Sequence, residues 1–192
     1  MIGRGEEQSA LQDDDWYLFR QIDICGGIMK QIFESDQISF VKVSECLVND
    51  YLIMVNDEEH VGKYIHGRIG GASESYTVEQ EYEWIRKTLE SKAVVFSMLE
   101  KRSGAFIGNI ELMNPNNYDA ELGIALTAAK QDMGYGTEAV SAMVAYGFHT
   151  LGLKRVFLRT NHDNARAIHV YKNCGFQEYD RTDQHICMEI KR

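Results

Sequence analysis

Gln131-Asp132-Met133-Gly134-Tyr135-Gly136-Thr137 stands between a strand-like run, Glu121–Leu126, and a helix-like run from Thr137 to Leu151. The loop therefore delivers backbone amides to the start of a helix. Glycine has no Cβ and lets backbone approach a ligand closely, and the first unpaired N–H groups of a helix, aided by its dipole, favour an anion. In outline this is a phosphate site, and the stretch from Ala120 to Phe176 is organised around it.

Downstream, the 137–151 run sets Val140, Met143, Val144, Phe148 and Leu151 on one side, and Arg155–Thr160 follows as a strand. Asn161-His162-Asp163-Asn164 is a cap-rich turn into another helix, which Gly175 ends as a C′ residue. Phe176–Tyr179 and His185–Ile190 close the chain as strands. Upstream, Ala93–Glu100 and Ala105–Met113 read as strands joined by a tight turn, and the 114–117 turn leads into Tyr118–Leu126. Thr77 with Gln80 three residues on has capping-box spacing for a helix to about Leu89, with Val78, Tyr82, Ile85 and Leu89 on its apolar side. Ile38–Val43 alternates as a strand, and Ser44 opens a helical pattern through Val55. The polar, glycine-dotted stretch from Asn56 to Ser75 reads as a mobile loop.

Residues 1–37 read as an N-terminal extension: a loose acidic tail to Asp15, then an apolar piece through Phe33 that is either a hairpin turning at Gly26-Gly27 or a short helix. Residues 38–192 show no repeat and no linker, which makes them one α+β domain. A formal charge of −9 argues against wholesale nucleic-acid binding and suits cationic or amine-bearing partners. The four cysteines, Cys25, Cys46, Cys174 and Cys187, lack both close pairing and histidines at ligand spacing, so reduced, mostly buried thiols are expected, with neither a disulfide framework nor a metal. No basic-then-apolar leader and no run of membrane-spanning length is present, which reads as a cytoplasmic protein with no membrane partner.

Taken together, Ala120-Glu-Leu-Gly-Ile, then Gln131-x-x-Gly134-x-Gly136-Thr137-Glu138-Ala139, then Asn161-x-x-Asn164-x-Arg166-Ala167-Ile168-x-x-Tyr171-x-x-x-Gly175-Phe176 resemble the GNAT superfamily of acyl-CoA N-acyltransferases. The spacing is most similar to the ribosomal-protein alanine acetyltransferase branch and its spermidine and antibiotic relatives. The resemblance spans about 57 residues and extends more weakly back through residues 38–55. It implies an αβα sandwich around a mixed, mostly antiparallel sheet whose central strands, here 118–126 and 154–160, splay apart. It implies acetyl-CoA as acyl donor, with the pantetheine arm against the backbone of Gly123, Ile124, Ala125 and Leu126 and the pyrophosphate on Gln131, Asp132, Met133, Gly134, Tyr135, Gly136 and Thr137. A homodimer pairing through strands such as His185–Ile190 is a further implication.

Within that frame the activity implied is direct N-acetyl transfer to a primary amine of a protein N-terminus, a polyamine, an aminoglycoside or a small metabolite. The alternatives are a CoA-binding sensor without turnover and a purely structural domain. Asn164 is implied to hydrogen-bond the cofactor arm, beside its ordinary reading as a helix N-cap, and Arg166 to reach phosphate. Tyr171 matches the family's general acid, placed to donate a proton as thiolate develops, although by itself it reads as a buried helix aromatic. Glu121 matches a strand position that keeps a catalytic Glu in several members, with Glu111 as second choice and ordered water as a third route. The acceptor pocket is expected from residues 44–90 and 114–118, with Asp57, Glu58, Glu59 and Glu74 as acidic candidates. Asp132 and Met133 depart from the Gly, Arg or Lys common in relatives; a carboxylate there opposes pyrophosphate, and Lys130, Arg155 and Arg159 are the cations at hand to offset it.

Overall fold

The computed structural model describes residues 21–24, 27–64 and 75–192. The acidic tail, the start of the apolar piece, Cys25, Gly26, the three loop glycines Gly67, Gly70 and Gly71, and Glu74 lie outside the described residues.

Among the described residues, nine strands form one sheet in the order β1-β2-β3-β4-β5-β6-β7-β9-β8. β1 (Gln21–Ile24) and β2 (Gly27–Glu34) pair antiparallel, so the apolar piece is a hairpin. β2 then pairs with β3 (Ile38–Lys42), which places residues read as an extension in the same sheet as the rest. β4 (Val94–Glu100), β5 (Phe106–Met113) and β6 (Asp119–Leu126) continue the antiparallel order. β6 meets β7 (Arg155–Asn161) in parallel, and β9 (His185–Lys191) lies between β7 and β8 (Gln177–Arg181). Both edges of β9 are thus filled within the chain, and the strand expected to pair across a dimer is not open for it.

Strand alternation sorts the side chains into two cores. α1 (Val48–Val55), which continues a 3-10 turn capped by Ser44, and α2 (Val78–Glu90) cover one face around Tyr51, Met54, Ile85, Leu99 and Phe106. α3 (Tyr135–His149) and α4 (Ala165–Asn173) cover the other around Ile110, Leu112, Val140, Met143, Val156 and Met188. The sandwich is as expected. Thr77 and Gln80 make the predicted reciprocal capping box. Along α2, however, the buried line is Glu81 and Ile85, and Val78 and Leu89 at its two ends are exposed.

Two contacts fix the part of this frame that matters for function. Glu138 in the first turn of α3 accepts from Ser35 Oγ (2.6 Å), the Gln37 backbone N–H (2.7 Å) and Gln37 Nε2 (2.9 Å), tying the β2–β3 turn to the helix start. Burial pushes this carboxyl up, but the donors of Ser35 and Gln37 outweigh it and hold it below the usual range. At Gly108 a Cβ would lie 2.0 Å from the Ala125 carbonyl oxygen, so β5 reaches β6 this closely only with glycine there. Gly108→Ala is expected to destabilise the fold by roughly 3 kcal/mol, since backbone rather than a flexible side chain must give way. An unchanged urea midpoint would show that the strands part without cost.

Candidate active site

The site is built on the failure of two neighbouring strands to stay paired. β6 and β7 share only Asp119↔Arg155, Ala120↔Val156 and Glu121↔Phe157. Beyond Glu121, β6 remains paired with β5 as far as Leu126, while β7 runs on against β9 alone. Residues 122–126 therefore carry one open backbone edge. Thr127 donates its backbone N–H to the Ile107 carbonyl on the β5 side (2.9 Å), and alternation then turns the N–H groups of Ile124 and Leu126 toward the gap. Gln131 Nε2 donates to the Leu126 carbonyl (3.0 Å), so the open edge ends where the loop begins. Ala125, on the alternate position, packs toward the α1–α2 core.

The loop then enters α3 through Gly134, whose φ of 88° is the left-handed conformation glycine adopts without penalty. The helix begins at Tyr135, two residues earlier than the sequence pattern indicates, because Gly134 itself is the N-cap. Glu138 is the first residue of α3 to donate back, to the Gly134 carbonyl at 3.1 Å. The N–H groups of Gly134, Tyr135, Gly136 and Thr137 have no acceptor among the described residues and form an anion cradle. The Tyr135 ring is buried and its hydroxyl donates to Glu100, and the Met133 side chain is exposed.

The charges around the loop are arranged differently from the expectation. Lys130 pairs with Glu100 (3.1 Å), Arg155 with Asp119 and Glu189 (2.9 and 2.6 Å), and Arg159 with Glu121, so none of the three faces Asp132. Arg166 does, with its Nε 3.1 Å from the Asp132 carboxylate and its Nη1 on the Gln131 side-chain oxygen. Asp132 holds a left-handed φ of 58°, a conformation Asp and Asn tolerate better than most residues. Asn164 caps α4 itself, its Oδ1 accepting from Ala167 N–H at 3.2 Å, while its Nδ2 has no acceptor among the described residues. Neither Asn161 nor Asp163 replaces it as cap.

Tyr171 lies on the α3–α4 side, packed with Phe176 at 5.9 Å between ring centroids, in the same core as Ile124 and Leu126. Burial, with a smaller contribution from Cys174, pushes its phenol well above the ordinary value, so it keeps its proton. Its hydroxyl makes no hydrogen bond among the described residues. Val170 beside it approaches Gly136, which brings α4 against the start of α3.

The two carboxylates occupy the opposite face. Glu121, the last β6 residue paired to β7, is held by Arg159 through two contacts (2.9 and 3.4 Å). Glu111 is directly across from Gly123, and its carboxyl lies so close over that residue that a Cβ on Gly123 would be 3.0 Å from Glu111 Oε1. It has no partner among the described residues. Burial, reinforced by the Glu121 charge, pushes Glu111 up. Glu121 thus fills the role of an arginine's partner, and Glu111 is the carboxylate left uncommitted beside the gap. A further acid, Glu81 of α2, is buried on this face near Tyr51 and pushed up to about 6 by desolvation. The sequence pattern contains no sign of it, since a Glu within an exposed-looking helix resembles its neighbours. Asp57, by contrast, is tied to His60 at 3.0 Å. A cleft of ≈ 420 Å³ lined by Lys30, Lys42, Leu89 and Phe96 lies apart from all of these residues. Among the described residues no helix is long and apolar enough to cross a membrane.

Known proteins share this architecture. The chain is 27% identical over 113 residues to a spermidine N(1)-acetyltransferase of Vibrio cholerae, covering 54% of this chain and 65% of that one. It is 33% identical over 75 residues to the corresponding protein of Escherichia coli K12, covering 38% and 40%. The matches thus span less than two thirds of these relatives. The fold matches a Bacillus anthracis acetyltransferase of the GNAT family with a TM-score of 0.73, at 17% identity over 82% of this chain and 96% of that one. It also matches spermidine N-acetyltransferase from Vibrio cholerae in complex with CoA and spermine, with a TM-score of 0.70, at 20% identity and the same coverage. Residues 40–177 match the family model described as the acetyltransferase (GNAT) domain, and with most of its length inside that match the chain belongs to this family.

Proposed function

We propose that the protein transfers an acetyl group from acetyl-CoA directly to a primary amine. The observation that carries this reading is the parting of β6 from β7 beyond Glu121, with a protonated Tyr171 on one face of the gap and an uncommitted Glu111 on the other. Acetyl-CoA supplies an activated thioester. The chain's own residues do the rest. The Ile124 and Leu126 amides on the open edge suit the amides of a pantetheine arm in the manner of an added strand. The 134–137 amides suit the pyrophosphate, with Asn164 Nδ2 and Arg166 next to it. Tyr171 donates to the departing sulfur, and Glu111 takes the proton the amine must lose, directly or through water. Placing these two on opposite faces separates the leaving group from the entering nucleophile.

The acceptor face carries Glu111, Glu81 and Glu121, which favours a cationic amine, and the spermidine relatives make polyamines the first acceptors to try. Thiol release from acetyl-CoA, measured against spermidine, an aminoglycoside, an N-terminal peptide and a small monoamine, tests the reading. Release with at least one amine is expected. Measurable CoA binding with no release across the panel would leave a sensor instead.

Asp132 gives a sharper test of the cofactor end. Its carboxylate opposes a pyrophosphate and occupies the cation, Arg166, that would otherwise serve it. Asp132→Asn keeps the tolerance for a left-handed φ, removes the charge and frees Arg166. The KM for acetyl-CoA is expected to fall by about three- to tenfold at low salt, with the gain shrinking as salt screens the site. An unchanged KM at all salt concentrations would place the pyrophosphate elsewhere.

A further inference from the structure

Among the described residues, one buried side-chain polar atom has no hydrogen-bond partner, and it is Asn109 Oδ1. Asn109 stands on β5 with Ser97 opposite it on β4 and Ala125 opposite it on β6. It shares the α1–α2 face with Glu111 two residues on, and it borders the segment of β6 that leaves β7. The hydroxyl opposite it is already committed. Ser97 Oγ is 2.7 Å from the Tyr51 hydroxyl, which also accepts from the Ser44 backbone N–H at 3.2 Å.

A buried amide carbonyl with no donor costs about 1–3 kcal/mol, and an apolar residue of similar size would avoid that cost. The surroundings would accept one: Val95, Leu99 and Ala125 of the same face belong to the apolar core under α1 and α2. Nothing in the fold explains a carbonyl at this point, whereas a ligand bringing an N–H does. Side chains two apart on a strand stand about 6.6 Å apart along it. That spacing separates a group held at Asn109 from one at Glu111, and it suits two nitrogens of a short diamine.

We propose that Asn109 is a specificity-determining residue of the acceptor site, its Oδ1 receiving an N–H from a second nitrogen of the acceptor while the first nitrogen lies at Glu111. The acceptor class is then diamines and polyamines in preference to monoamines. This rests on the acetyl-transfer reading, and the buried acid Glu81 near Tyr51 offers a further point of attraction for such a cation.

The test uses the full chain and Asn109→Leu. With acetyl-CoA saturating, the KM for 1,4-diaminobutane is expected to rise about tenfold or more, the loss of one hydrogen bond to a charged donor. The KM for n-butylamine and that for acetyl-CoA are expected to stay within about twofold, and the melting temperature to hold or rise, because an unmet polar group has been removed. Asn109→Asp, which retains an acceptor, should keep the diamine preference. Equal effects on both amines, or no effect on either, would overturn the proposal, and a rise confined to the KM for acetyl-CoA would assign the amide to the pantetheine arm instead. A second measurement omits acetyl-CoA: spermidine should raise the melting temperature of the unaltered protein and not that of Asn109→Leu. That difference, found alongside no turnover with any amine, would retire the transfer reading and keep Asn109 as an amine-binding residue. An identical shift in both proteins would retire Asn109.

Discussion

Tyr171→Phe is expected to lower turnover by about 10²- to 10³-fold, the range removed with a positioned general acid, while affinity for acetyl-CoA and thermal stability should change little. The reasoning starts from burial. A phenol buried in the core under α3 and α4 is kept protonated by desolvation, and its hydroxyl makes no hydrogen bond among the described residues. Phenylalanine fills the same space against Phe176 and leaves the core intact. A structural tyrosine would show the reverse pattern, with loss of stability and preserved rate. Single-turnover kinetics beside a melting curve separates the two, and unchanged turnover removes Tyr171 from the chemistry.

The second large effect is expected for Glu111→Gln, for which turnover at neutral pH should fall by about 10²-fold. The active form of a base is the carboxylate. In the unaltered protein kcat/KM should therefore rise with pH through the Glu111 pKa, which burial and the neighbouring Glu121 charge place above the usual carboxylate value. Glutamine abolishes that acid limb. The stability sign is opposite to that of a paired acid. When the folded pKa is raised, the unfolded chain loses its proton at lower pH than the folded one, so the ionised group costs stability above the folded pKa. Glu111→Gln should then be no less stable than the parent at neutral pH and gain nothing well below pH 4. Glu121→Gln is the control, since it breaks the Arg159 pair and should act chiefly on stability. A larger rate loss at Glu121 than at Glu111 would reverse the assignment.

Along the sequence Glu121 reads ahead of Glu111 as the base, and the proposal above takes them in the other order. Both sit at alternating positions on adjacent strands and look equivalent along the chain. What separates them is Arg159, 38 residues beyond Glu121, and the bare backbone of Gly123 under Glu111. The same holds for the loop. Its glycines, its place before a helix and the cap at Asn164 were legible, because each depends on residues within a turn of one another. The engagement of Lys130 with Glu100 and of Tyr135 with that same acid, 30 and 35 residues earlier, was not. Neither was the parting of the strands: β6 and β7 each alternate normally, and only the resemblance to a family pointed to a gap. Asn109 left no trace in the pattern, since an Asn on a strand reads as a solvent-facing polar residue until its burial is known.

The three hydrogen bonds that Glu138 takes from Ser35 and Gln37 have a consequence for anyone recombining relatives of this protein. The 134–137 amides and the turn after the first hairpin share a single anchor, although Ser35 and Gln37 precede the 40–177 segment matched to the family. A chimera joined at residue 40 would part the anchor from its mates and slacken the cradle from a distance. A junction placed before residue 21 keeps them together, and the hairpin should travel with the segment that carries the 134–137 amides as one exchangeable unit.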